Sequence, residues 1–68
     1  MSIKTEIKIA RLQADSYAYS AAAHEAQAEI YALEGNAALE STYRGLAKQW
    51  WGFHESALQR ARALEGAA

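Results

Sequence analysis

The 68-residue chain contains no proline, and one short stretch, Glu34-Gly35-Asn36, interrupts an otherwise helix-favouring sequence. Alanine, glutamate, leucine, lysine, glutamine and arginine dominate both flanks, and these residues lose little side-chain entropy in a helix. Glycine suits a left-handed helix end, and asparagine caps a following helix. We therefore predict one all-α domain over residues 1–68, a two-helix antiparallel hairpin with helices at about 3–34 and 37–65 and a turn at 35–36. Ser2 is the expected first cap, and Gly66 the expected stop of the second helix.

Apolar residues recur at alternating steps of three and four in both segments, the spacing of helices that pack nearly antiparallel. Folding the two seams together pairs large side chains with small ones, for example Trp50 with Ala23. The expected hairpin core consists of Ile9, Leu12, Tyr19, Ala23, Ile30, Leu33, Leu39, Leu46, Trp50, Phe53 and Leu64.

Each helix carries a second apolar face. In the first helix this face lies roughly opposite the first seam, and its members are Ile3, Ile7, Ala10, Ala14, Tyr17, Ala21 and Ala28. In the second helix a flanking stripe contains Ala47, Trp51, His54 and Leu58. Exposed patches of this kind favour association. We therefore expect a homodimer, most simply a four-helix bundle. A further line of small residues through Gly45 and Gly52 is either solvated or a close-packing contact.

The small size and near-neutral charge of the chain favour assembly with another chain and disfavour broad nucleic-acid binding. A single core below roughly 70 to 80 residues supplies little stability, and without cysteine the chain has no disulfide to add. Assembly with another chain is therefore expected. The formal net charge of −1 disfavours broad nucleic-acid binding. No apolar run is long enough for a membrane span, and the N-terminus lacks a signal peptide, so a cytoplasmic protein without membrane association is expected.

Catalytic and cofactor chemistry is not indicated. His24 and His54 fit neither an H-E-x-x-H motif nor the spacing of a di-iron bundle, and His24 is expected at the level of Ala47. No cysteine nucleophile and no glycine-rich phosphate loop is present. We expect no enzyme activity, no cofactor and no metal. A short basic line on the second helix, Arg44, Lys48 and Arg62, is interrupted by Glu55, so binding to RNA is a weaker alternative.

Aromatic and arginine side chains on the second helix instead indicate protein binding, because tryptophan, tyrosine and arginine dominate interface energetics. The expected partner-binding or dimer-interface residues are Tyr43, Arg44, Ala47, Trp51, His54, Leu58, Tyr17 and Ile7. Whether Trp51 is covered by a second copy or by a foreign protein stays open.

In its size and helical form the chain resembles, as a class, the small inhibitors and regulators that phages and mobile elements encode, such as anti-CRISPR and anti-activator proteins. That resemblance implies steric blocking of a host protein. The alternatives are a dimeric nucleic-acid regulator and a structural or assembly subunit.

Overall fold

The computed structural model describes residues 1–67 and contains two helices, α1 (Ile3–Leu33) and α2 (Ala37–Ala67), which pack against each other as an antiparallel hairpin. No strand is present in these residues. The predicted all-α hairpin is therefore confirmed. Its extents of 50 × 13 × 13 Å describe a rod, so each helix has one neighbour and a large outward surface.

Local capping explains where the helices begin and where the chain turns. Ser2 accepts a hydrogen bond from the Thr5 amide at 3.2 Å, as an N-cap does. Gly35 has φ +76°. Its amide bonds the Ala32 carbonyl at 3.1 Å, while that of Asn36 bonds the Tyr31 carbonyl at 2.9 Å. Together these bonds form a Schellman motif.

Asn36 then starts α2. Its Oδ1 accepts a hydrogen bond from the Leu39 amide at 3.1 Å. The turn predicted at 35–36 thus combines a helix stop and a helix start in two residues. Because the connection is so short, α2 runs back directly alongside α1.

The prediction that Gly66 stops α2 is wrong, because Gly66 is helical and α2 extends to Ala67. Among the described residues, only Gly35 adopts a positive φ. Glycine permits the left-handed conformation but does not impose it. Ala68, the last residue of the predicted domain, lies outside the described residues.

Alanines form the buried core of the hairpin. Every described residue in the buried class is an alanine, and no larger side chain is fully buried. These residues are Ala10, Ala14, Ala21, Ala28, Ala47, Ala57 and Ala61. Small side chains let the helix axes approach closely, and larger side chains then pack around the edges of the contact. One hairpin therefore buries little apolar bulk.

The predicted core seam of α1 is wrong. Its residues point away from α2 or lie at the margin: Ile9 is half-buried, and Leu12, Tyr19, Ala23, Ile30 and Leu33 are exposed. The opposite seam, which includes Ala10, Ala14 and Ala21, faces α2 instead. Its alanines leave room for the aromatic side chains of α2, and this steric fit decides which face of α1 is inside.

The predicted seam of α2 is only partly inside the hairpin. Leu46, Trp50 and Leu64 are half-buried, whereas Leu39 and Phe53 are exposed and do not belong to the core. The helices are nevertheless aligned along their axes as expected. The His24 ring lies 5.9 Å from the Tyr43 ring and 6.1 Å from the Trp50 ring, at the expected level of Ala47. The predicted hairpin therefore has the correct alignment along the helix axes, but it places α1 in the wrong rotation about its own axis.

Candidate protein-binding surface

Aromatic rings of the two helices alternate along one side of the helix contact. Tyr31 lies 5.2 Å from Tyr43, which lies beside His24. Farther along, the Tyr17 ring is 5.8 Å from the Trp50 ring. Separations of this size are typical of favourable aromatic pairs. Tyr17 and Tyr43, both expected at a partner interface, therefore contribute contacts inside the hairpin.

Other members of the expected interface also lie against α1. Ala47 is buried, while His54, Leu58 and Ile7 are half-buried. His54 Nδ1 donates a hydrogen bond to the Ala14 carbonyl at 2.7 Å. Of the eight residues expected at the interface, only Arg44 and Trp51 are exposed.

Trp51 and Arg44 share one edge of the hairpin, which we call the Trp51 groove. Its lining consists of Glu25, Arg44, Ala47, Lys48 and Trp51, and its volume is about 260 Å³. Trp51 is 40% exposed, and its indole Nε1 donates a hydrogen bond to the Glu25 carboxylate of α1. The bond fixes the ring at the boundary between the helices. Sequence reasoning missed Glu25, since a bond between two helices has no signal in local spacing.

Electrostatic contacts hold Arg44 beside this groove. Its guanidinium lies 2.9 Å from Glu40 in the same helix and 3.5 Å from Glu29 in α1. The hydrogen bond to Glu40, supported by the charges of Glu40 and Glu29, raises the pKa of Arg44 above its usual value. The Trp51 groove thus presents the indole of Trp51, the cations of Arg44 and Lys48, and the carboxylate of Glu25, all on helices.

The opposite edge of the hairpin carries a second shallow groove of about 210 Å³. Its lining consists of Gln13, Tyr17, Phe53, Ser56, Ala57 and Arg60. Phe53 is 51% exposed there, with its ring 5.8 Å from Tyr17. The two exposed aromatic residues of α2 therefore lie on opposite edges of the rod.

A long exposed apolar surface lies on α1, on the side away from α2. We call it the outer face; its members are Ile9, Leu12, Ser16, Tyr19, Ala23, Ala26, Ile30 and Leu33. Tyr19 is 76% exposed and Leu33 is 81% exposed. All of them except Ser16 and Ala26 belong to the hairpin core that the sequence predicts. An apolar seam of this length exposed on a small helical rod is typical of an interaction surface.

The histidines have structural roles in the hairpin. His24 Nδ1 donates to the Ser20 carbonyl of its own helix at 2.7 Å, and His54 donates to α1. Within residues 1–67, no three histidine, aspartate or glutamate side chains are grouped so that they could hold a metal ion. Across the same range, neither helix has a stretch long and apolar enough to cross a membrane. Comparisons with protein-family models, curated proteins and solved structures found no match.

Proposed function

We propose that this chain is a small, non-enzymatic protein-binding module that functions as a homodimer and recognises a second, foreign protein through the Trp51 groove. The observation that carries the proposal is the exposed indole of Trp51, fixed by Glu25 and adjacent to Arg44. Tryptophan and arginine contribute strongly to binding when a partner removes them from water. Because both residues lie on helices, little backbone conformational entropy is lost on binding.

The mechanism we propose is steric. A rod 50 Å long that docks through one edge covers an extended strip of its partner. It therefore prevents access of that partner's own substrate or binding protein. This is the mode of action expected of a phage- or mobile-element-type inhibitor or regulator in the cytoplasm.

A nucleic-acid regulator has less support as an alternative. The basic line on α2 is compensated by carboxylates: Arg44 lies beside Glu40 and Glu29, and Arg62 lies 3.8 Å from Glu55. Phosphate binding would have to compete with these contacts. A structural or assembly subunit is the remaining alternative. It requires open-ended association, in which further copies add beyond a dimer.

Capture of partners from the native host tests the proposal. The tagged wild-type chain, a Trp51→Ala variant and a Phe53→Ala variant are compared by quantitative mass spectrometry. Phe53 is the matched control, because it is also an exposed aromatic residue of α2 but lies on the opposite edge. We expect one stoichiometric partner that Trp51→Ala loses and Phe53→Ala retains.

The purified partner then tests the steric mechanism. Adding the wild-type chain in equal amount is expected to block that partner's activity or its natural binding, while Trp51→Ala is expected to have no effect. Equal capture by all three chains, or capture of the chain alone, would contradict recognition through the Trp51 groove.

A further inference from the structure

We infer that the outer face of α1 is the dimer interface, and that it pairs antiparallel with the same face of a second copy. This deepens the proposed function and depends on its dimeric state. It specifies which surface is used, in which direction the helices run and which residues meet. The Trp51 groove remains free for a foreign protein.

Helix geometry places the outer face away from the hairpin contact. At about 100° per residue, its centre lies roughly 160° from the centre of the alanine-rich face that contacts α2. A polar stripe at seven-residue intervals separates the two faces on one side of α1: Glu6, Gln13, Ser20, Gln27 and Glu34. A second helix on the outer face therefore produces a layer ordered α2, α1, α1 and α2, in place of a closed bundle.

The outer face is complementary to itself only in the antiparallel direction. About a two-fold axis at the level of Ala21, Ile9 meets Leu33 of the second copy, and Leu12 meets its Ile30. Nearer the axis, Tyr19 meets Ala23 of the second copy, so a large side chain faces a small one. In a parallel pair each residue meets its own copy, and Tyr19 meets Tyr19.

The charges of α1 also favour the antiparallel direction. Its N-terminal part carries Lys4, Lys8 and Arg11 against Glu6, whereas its C-terminal part and its C-cap carry Glu25, Glu29 and Glu34. Three of these charged groups, Arg11, Glu25 and Glu29, also contact α2. Lys4 and Lys8 at one end and Glu34 at the other therefore contribute most to the preference. Antiparallel pairing places the basic end of one helix beside the acidic end of the other. Parallel pairing places like charges together, which is unfavourable.

The size of the contact predicts its strength. From Ile9 to Leu33 the outer face is about 36 Å long, at 1.5 Å per residue. A contact between two single helices of this length is at the small end of the range for specific interfaces. We therefore expect a dimer that dissociates in the micromolar range.

Sedimentation equilibrium tests whether the outer face of α1 forms the dimer. The wild-type mass is expected to rise from the 7.5 kDa monomer to twice that value between about 1 and 500 µM. A Leu12→Lys/Ile30→Lys variant is expected to weaken the dimer at least about 100-fold, since it introduces charge into an apolar seam. Circular dichroism should show an intact hairpin, because both positions are exposed within it. A helical wild-type monomer at 500 µM overturns the inference.

Crosslinking through introduced cysteines tests the direction in which the two helices pair. The chain has no cysteine of its own, so only the introduced positions react. A Leu12→Cys chain and a tagged Ile30→Cys chain are mixed and treated with a short bismaleimide. The antiparallel pair gives the mixed product, since two Leu12→Cys positions are then about 27 Å apart. Homodimeric products without the mixed one, or no product at concentrations where the chain is dimeric, overturn the inference.

Trp51→Ala separates this inference from the proposed function. The variant is expected to dimerise like the wild type while losing the foreign partner. A monomeric wild-type chain that still captures a partner through Trp51 overturns the dimer inference and leaves recognition through the groove intact. A dimer disrupted by Leu12→Lys/Ile30→Lys, with no partner dependent on Trp51, supports the inference and contradicts the groove.

Discussion

His54 on α2 donates a hydrogen bond to the main-chain carbonyl of Ala14 on α1, with 2.7 Å between Nδ1 and the oxygen. Ala14 is buried and has only a methyl side chain, so the imidazole can reach the backbone of the neighbouring helix. The contact fixes α1 both along its axis and in rotation. It is a direct structural reason why the alanine-rich face of α1 lies inside.

Replacing His54 with phenylalanine is expected to destabilise the hairpin by about 1 kcal/mol, since the ring is kept and one hydrogen bond is lost. Urea unfolding followed by circular dichroism, at one fixed protein concentration, measures the change. His24→Phe is the control, because His24 bonds its own helix at Ser20. An equal or larger loss for His24→Phe would show that the bond to Ala14 has no special role.

Ala21→Leu is expected to cost about 1 to 3 kcal/mol, because Ala21 has no exposed surface and the added atoms force the helices apart. Ala22→Leu next to it is exposed and should change stability by less than about 0.5 kcal/mol. Thermal unfolding at one concentration compares the two. If Ala22→Leu proved the more damaging, α1 would be rotated relative to the described structure.

Glycine substitutions are expected to have opposite effects in the turn and in α2. Gly35→Ala places a side chain at φ +76° and should cost about 1 kcal/mol. Gly52→Ala lies within a helix with nothing inside 4 Å of the new methyl group, so it should stabilise by about 0.5 to 1 kcal/mol. Denaturant midpoints of the two variants check the signs. A destabilised Gly52→Ala would indicate a helix packed against that line of small residues.

The two adjacent tryptophans are expected to differ in their effect on folding. Trp50 contacts Tyr17, His24 and Phe53, so Trp50→Ala should cost about 3 kcal/mol, the low end for a large aromatic residue because the ring is only half-buried. Trp51→Ala removes a more exposed ring together with its bond to Glu25 and should cost less, about 1 to 2 kcal/mol. Unfolding curves at matched concentration give both values. The reverse order would contradict the observed position of Trp50 between the helices and of Trp51 at the edge.

The sequence predicted only part of the candidate binding surface, since six of the eight residues expected at an interface are buried or half-buried in the hairpin. The i, i+4 arrangement of α2 places Ala47 and Trp51 on one side of the helix, and Trp51 is indeed partly exposed. Its bond to Glu25 joins residues that are far apart in the chain, so no local pattern predicts it. The same limit applies to the ion pair between Arg11 and Glu65.

Local chemistry alone determines the two helices and their turn. Ser2 and Asn36 cap helices through their own neighbouring amides, and Gly35 adopts a conformation that costs other residues free energy. Periodicity also defines two apolar faces on α1, at nearly identical spacing. Only the tertiary structure decides between them, because both faces satisfy the backbone of α1 equally well. The choice depends on side-chain fit across the hairpin, where alanines admit the rings of α2 and the Ala14 carbonyl receives His54.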